Sequence, residues 1–353
     1  MSSRAEAFHA SPWSGVFYVT GGGMPFIAEM MSTPGASRSV LQVNVPYATQ
    51  AMTELLGRAP EQAASDLTAR QLAMAAYQRA QSLAPGQRHT FGLGCTASLA
   101  TNREKKGTHR AHWAVQTATL SLGFSATYSE DRTTEEALLN DQLWDTLSHL
   151  VQDTPVPREI TVARARAPGD VSRLLEVEPG KHCIGDHGGQ LLLPGSFNPI
   201  HKGHRRMLAV AESLTGLHGA YELALVNADK PAVDFISLKD RLAAIDDKPV
   251  WITNTPTYAG KAALFPGSTF AIGVDTLSRV GELRFYQDSP AKLAEALALF
   301  TDLDIRFVVF GRTFEGDFLT LSSLDLPEGL IARCTEVPEA DFRDDISSTE
   351  LRR

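Results

Sequence analysis

A two-domain α/β protein, with a doubly wound parallel sheet in its C-terminal half and a mixed α/β domain in its N-terminal half, is what this 353-residue sequence predicts. Three observations predict it. The length exceeds what one hydrophobic core usually serves, so two cores are expected. In the second half, short apolar runs alternate with helical periodicity, the pattern of parallel βαβ units. Between the halves, residues 153–189 carry Thr154-Pro155-Val156-Pro157, the basic Arg164-Ala165-Arg166, Pro168-Gly169, Pro179-Gly180 and Gly188-Gly189. Breakers at that density predict a linker or irregular crossover.

In the first domain, residues 1–152, Val16 to Val19 is an apolar run that stops at Thr20-Gly21-Gly22-Gly23, and Pro25 to Met31 can start a helix. Leu67 to Leu83 spaces apolar residues at helical intervals, and Thr90 to Cys95 and Ala111 to Thr119 read as strands. Thr134 to Val151 reads as a closing amphipathic helix with a Thr cap. In the second domain, residues 190–353, strands are expected at Gln190 to Leu193, Tyr221 to Val226, Val250 to Thr253, Phe270 to Val274, Ile305 to Phe310 and Leu330 to Val337. Helices are expected at Gly203 to Leu214, near Leu238 to Ile245 and at Pro290 to Phe300. No internal repeat or low-complexity tract interrupts either half.

Composition excludes several classes. With 43% hydrophobic and 21% charged residues the chain is that of an ordinary globular protein. A net charge of -8 gives no general attraction to nucleic acid or anionic membrane, so small-molecule nucleotides rather than polymers or membranes are the expected partners. Cys95, Cys183 and Cys334 lie far apart without CxxC spacing, which argues against a zinc site or a disulfide framework. The N-terminus lacks signal-peptide character and no run approaches a membrane span, so the cytoplasm is the expected compartment.

The informative segment is Leu191-Leu192-Leu193-Pro194-Gly195-Ser196-Phe197-Asn198-Pro199-Ile200-His201-Lys202-Gly203-His204, a strand running into a glycine turn and a helix. At the carboxyl end of a strand in an open α/β sheet, such a turn is where ligands bind. The helix start offers unpaired N–H groups and positive partial charge to an anion, and phosphate fits. His201 and His204, three residues apart, share a face at the first turn, and Gly203 permits close approach. A bound polyphosphate is expected to raise their charge.

These residues resemble the HxGH motif of the nucleotidylyltransferase superfamily, and GSFNPIHKGH resembles the pattern of nicotinamide and nicotinate mononucleotide adenylyltransferases. Ile346-Ser347-Ser348-Thr349-Glu350-Leu351-Arg352 resembles the family's ISSTxxR element, in which a serine caps a helix and the arginine meets the β- and γ-phosphates. Ile272-Gly273-Val274-Asp275 resembles its GxD, and Phe310-Gly311-Arg312 the strand end beside the nucleotide. The resemblance implies a Rossmann-like fold and ATP as substrate, with Mg²⁺ screening the departing pyrophosphate. It implies catalytic roles for His201, His204 and Arg352. Nucleotide binding would fall to Gly195, Ser196, Phe197, Asn198, Gly203, Asp275, Arg312, Ser347, Ser348 and Thr349. Lys230, after the second strand, and Trp251 are candidates for the acceptor, each equally readable as an ordinary structural residue. The sequence ends one residue after Arg352, where relatives usually continue the helix, so a less rigid anion site is expected.

In the first half, Tyr18-Val19-Thr20-Gly21-Gly22, Pro34-Gly35-Ala36-Ser37, Val45-Pro46-Tyr47 and Glu54-Leu55-Leu56-Gly57 resemble, in order and spacing, the CinA C-terminal domain, whose members hydrolyse the amide of nicotinamide mononucleotide. Where those hydrolases carry a nucleophilic serine this chain has Tyr18, and the activating lysine falls at Met52. A phenol with no base beside it stays protonated near pH 7, and Tyr47 alone does not replace the pair, so an inactive amidase is expected. The Thr20 to Gly23 turn reads equally as a phosphate site or a plain turn. The expectation for the whole chain is adenylyl transfer to nicotinamide or nicotinate mononucleotide. Transfer to another phosphorylated acceptor and a non-catalytic nucleotide-binding regulator are the alternatives.

Overall fold

In the computed structural model, residues 3–102, 107–152, 160–175, 178–226, 232–314 and 317–343 are described. The chain forms two compact units, Met1–Ser172 with Asp229–Lys239, and Arg173–Ala228 with Asp240–Arg353. Among the described residues no helix is long and apolar enough to cross a membrane.

In the first unit, helices α1 (Arg4–His9), α2 (Met24–Ser32), α3 (Thr49–Leu56), α4 (Asp66–Leu83) and α5 (Arg132–Gln152) cover a six-stranded sheet. Its strands are β1 (Ser14–Thr20), β2 (Val40–Asn44), β3 (Thr90–Ser98), β4 (His109–Gln116), β5 (Leu120–Tyr128) and β6 (Thr161–Arg166), in the order β2-β1-β3-β4-β5-β6. β1 runs parallel to β2 and β3, and the remaining pairs are antiparallel. Every residue of β1 is buried, because both faces of the sheet are covered. Phe17 and Val19 join the core with Phe26, Leu143 and Trp144, while Val16 and Tyr18 pack with Leu72 and Ala76 of α4. At the start of α5 the expected Thr134 cap is instead Asp131, whose carboxylate accepts from the N–H groups of Thr133 and Thr134 at 2.9 and 3.1 Å.

Residues 232–239 belong to this unit although they fall between strands of the other sheet in sequence. Arg70 of α4 holds Asp234 at 2.8 Å, and Asp234 caps the helix that follows by accepting from Ile236 and Ser237 N–H, each at 3.0 Å. The Phe235 N–H donates to Ser121 Oγ on β5 at 2.9 Å.

The second unit is a seven-stranded sheet whose strands are β7 (Lys181–Ile184), β8 (Leu191–Pro194), β9 (Gly219–Ala224), β10 (Val250–Thr253), β11 (Thr269–Gly273), β12 (Arg306–Phe310) and, last in sequence, Cys334–Val337. A separate hairpin comprises β13 (Arg312–Phe314) and β14 (Asp317–Leu319), which makes the last sheet strand β15. The order β15-β12-β11-β8-β9-β10-β7 is parallel throughout except for the antiparallel edge β7. The parallel strands thus follow the doubly wound order 3-2-1-4-5-6, which reverses between β8 and β11. The helices are α6 (Lys202–Thr215), the part of α7 (Phe235–Ala243) from Asp240 onward, α8 (Tyr258–Leu264), α9 (Val274–Gly281), α10 (Pro290–Asp302) and α11 (Glu328–Ile331).

Two expectations differ from this architecture. Residues 153–189, expected as linker, contribute β6 to the first sheet and β7 to the second, so Arg164 and Arg166 lie on a strand. β6 alternates exposed with more buried residues on an edge, which hides its pattern among breakers. Leu330 to Val337, expected as one strand, is the helical turn α11 and then β15, because Leu330 turns inward to full burial before the strand begins.

Candidate functional site

β8 pairs with β11 only through Leu191–Thr269 and Leu192–Phe270, after which the two strands hydrogen-bond to opposite neighbours. Their carboxyl ends therefore border the crevice that a reversal of strand order creates. The turn leaving β8 is held from beneath: Gly195 N–H donates to the Glu222 carbonyl at 2.9 Å. Phe197 adopts φ 44°, a left-handed backbone conformation costing about 1–3 kcal/mol for a residue with a side chain. What offsets it is burial. The ring is 1% exposed and packs edge-on against His204 at 5.2 Å and Tyr221 at 5.0 Å. Gly195 is obligatory there, since a Cβ would lie 2.6 Å from that ring. Arg241 of α7 donates to the Ser196 carbonyl at 3.1 Å. Phe197, expected to bind nucleotide, is thus occupied in supporting His204.

His201 is the N-cap of α6 and Gly203 is buried in its first turn. The two imidazoles stack at 3.7 Å between centroids, and the His201 N–H donates to His204 Nδ1 at 3.3 Å. Accepting through Nδ1 places the His204 proton on Nε2, leaving an N–H donor. Burial, with the adjacent His201 ring, pushes the His204 pKa down to about 3. His204 is therefore neutral at physiological pH in the free protein, whereas charged imidazoles were expected with polyphosphate bound.

Asp275, in the first turn of α9, and Arg312, two residues beyond β12, come together at 3.3 Å, both half exposed. They follow the carboxyl ends of adjacent strands, as the HxGH turn does on β8. The structure thus brings His201 together with His204, and Asp275 with Arg312.

Residues 192–353 match the family model described as cytidylyltransferase-like. They form a nucleotidylyltransferase domain. Two solved structures are similar to part of the chain. The crystal structure of the competence/damage inducible protein CihA from Agrobacterium tumefaciens is 19% identical, covering 43% of this chain and 98% of that one with a TM-score of 0.35. That of a competence-damaged protein (CinA) superfamily protein from Escherichia coli is 16% identical, covering 42% and 86% with a TM-score of 0.33. Among curated proteins none matches.

Within the nucleotidylyltransferase domain, Trp251 is not with the histidines. Its indole N–H donates to His187 at 3.0 Å, its ring packs edge-on against Phe265 at 5.1 Å, and the Lys181 ammonium sits 5.4 Å from its centroid. These contacts tie the ring to His187, Phe265 and Lys181. Lys230, Ser347, Ser348, Thr349 and Arg352 lie outside the described residues.

Sequence reasoning missed a buried ion pair. Glu222 on β9, fully buried, accepts from Lys261 of α8 through both carboxylate oxygens at 2.6 Å and from the Thr253 hydroxyl at 2.5 Å. The same Glu222 supplies the carbonyl under Gly195. A lone charge inside the apolar run Tyr221-Glu222-Leu223 was the available signal.

In the first unit, Tyr18 and Met52 are brought together in one apolar cluster with Leu56 and Leu72, 3% and 5% exposed respectively. Burial pushes the Tyr18 phenol above its ordinary value against the opposing pull of Arg79. At the neighbouring glycine turn, the Gly23 N–H that begins α2 donates to Glu136 Oε2 at 2.7 Å, and Arg132 pairs with the same carboxylate at 2.7 Å. A protein carboxylate already stands where a phosphate was one of two expectations.

Proposed function

We propose that the nucleotidylyltransferase domain transfers the adenylyl group of ATP to nicotinamide or nicotinate mononucleotide and releases pyrophosphate. The observation that carries this reading is the stacked His201–His204 pair at the start of α6, with His204 neutral and its Nε2–H available to a phosphate oxygen. An acceptor phosphate oxygen attacks the α-phosphorus in line; the new P–O bond forms as the bond to the β-phosphate breaks. No covalent enzyme intermediate is needed, so catalysis rests on positioning and on stabilising developing charge. A neutral imidazole still offers its Nε2–H to a phosphate oxygen, and a bound polyphosphate would favour the protonated form, adding a positive charge to the same contact. Mg²⁺ would arrive with the triphosphate, coordinated by its oxygens. Asp275 and Arg312 would border the nucleotide, and Ser348 and Arg352 would meet the departing phosphates.

The choice of acceptor rests on the likeness of Gly195 to His204 to pyridine-nucleotide members and on the first half's likeness to a family acting on the same mononucleotide. The family description favours a second reading, cytidylyl transfer to another phosphorylated acceptor. A pyrophosphate-release screen of ATP, CTP, GTP and UTP against both pyridine mononucleotides, phosphopantetheine and a phosphorylated alcohol separates them. Release with ATP and a pyridine mononucleotide is expected; release only with CTP or only with another acceptor overturns the assignment.

A further inference from the structure

The last turn of α7 and the start of α6 grip one another through two arginines pointing in opposite directions. Arg241 of α7 donates through Nη1 to the Ser196 carbonyl at 3.1 Å, within the turn that leads to the histidines. Arg205, next to His204 on α6, donates to the Ala244 carbonyl at 3.1 Å and to Asp246 at 3.0 Å, and pairs with Asp247 at 2.5 Å. Ala244 follows α7 directly, so Arg205 sets a cation against the negative end of that helix. Asp247 also accepts from the Tyr221 hydroxyl at 3.2 Å, and the Tyr221 ring is one of the two that hold Phe197. The contacts close a circuit from the turn through the end of α7 to the helix of His204 and back to the turn.

We propose that Arg241 is a positioning residue for the transfer reaction: its grip on the Ser196 carbonyl fixes the turn in the conformation that sets the His204 imidazole against the phosphate chain. The inference rests on the transfer reading proposed above. The Ser196 carbonyl belongs to the peptide unit that leads into Phe197, and because that unit is planar, holding its oxygen restricts the rotation about the next bond. That rotation is the φ of 44° at Phe197, a conformation that persists only where its surroundings over-determine it. The Phe197 ring, 1% exposed, packs on His204 at 5.2 Å, so a turn that relaxed would carry the ring and with it the imidazole. A displacement of about 1 Å at a group contacting the transition state can cost up to about 10²-fold in rate. Arg205 does not duplicate this role, because it holds the end of α7 and not the turn.

The test measures pyrophosphate release by the full chain, with the nucleotide and acceptor that give the highest wild-type rate, in wild type, Arg241→Met, Arg241→Lys, His204→Ala and the Arg241→Met/His204→Ala double variant. Arg241→Met keeps the length of the stem without a donor. It is expected to lower kcat about tenfold, with KM for the triphosphate within about twofold and the thermal midpoint close to wild type. Arg241→Lys retains a charged donor and is expected to stay within about threefold of the wild-type rate. In the His204→Ala background the methionine is expected to cost less than about twofold, because the arginine acts through the imidazole. Wild-type kcat in Arg241→Met, an equally slow Arg241→Lys, a tenfold loss that persists without the imidazole, or a fall in thermal midpoint that accounts for the lost rate overturns the positioning role while leaving the transfer reading intact. Absence of release by wild type with every pair overturns both.

Discussion

Each unit contains a strand, a glycine turn and a helix, at β1 to α2 and at β8 to α6, yet the two turns carry different chemistry. At the first, Tyr18 of the strand is walled in beside Met52, and the helix's opening amide is taken by Glu136. At the second, the helix opens on two stacked imidazoles, with Phe197 folded beneath them. The backbone plan is shared; what faces the helix start decides whether the turn serves a ligand or the fold. Function resides in the grafted side chains rather than in the architecture.

The comparison can be broken first at the support beneath the second turn. Lys261→Met leaves the Glu222 carboxylate buried and unpaired, an expected loss of about 3–5 kcal/mol in urea unfolding. Glu222→Leu/Lys261→Met should recover most of it; a double variant as unstable as the single one would show that the pair is not the cause. Next in size, His201→Ala or His204→Ala should lower pyrophosphate release by about 10²-fold or more while circular dichroism stays native. Near-normal rates in either would remove the site assignment.

The burial of His204 gives a third effect. Its folded pKa of about 3 lies below the unfolded value, so the unfolded chain binds the extra proton. Its contribution to stability is then complete above the unfolded pKa, about 6.5, and is lost as pH falls toward about 3. Between pH 7 and 5 the wild type should lose about 2 kcal/mol from this group, and His204→Gln correspondingly less. Equal losses in the two proteins would mean that the imidazole is not held neutral. Smallest, Glu136→Ala should cost the first unit about 1 kcal/mol through the lost helix-start contact, readable in the same unfolding experiment. Ammonia release from nicotinamide mononucleotide should be absent in the wild type; its detection would contradict the sealing of Tyr18.

Much of this was legible in the sequence, and the exceptions share a physical reason. Long periodic elements such as α4, and strands buried on both faces such as β1, announce themselves by repetition. The edge strands β6 and β7 do not, because short polar runs beside glycines and prolines carry too little periodicity. The histidine pair was legible because both members lie within one helical turn, and Asp275 with Arg312 because each follows a strand end. Glu222 and Lys261 are 39 residues apart, and no spacing rule joins them. The packing of Trp251 against Phe265 and of Phe197 against His204 and Tyr221 was not legible, because a sequence shows that an aromatic is present, whereas only the fold shows what it touches.

The carboxylate at Gly23 has a consequence for how the two turns respond to their surroundings. Glu136 is tethered to the same fold, so its effective concentration at that amide is set by geometry, in the millimolar range or above for a short connection. A free anion must compete with it at every moment. The first turn is therefore held by the protein's own carboxylate, whereas on the proposed reading occupancy at the second follows the concentration of its nucleotide.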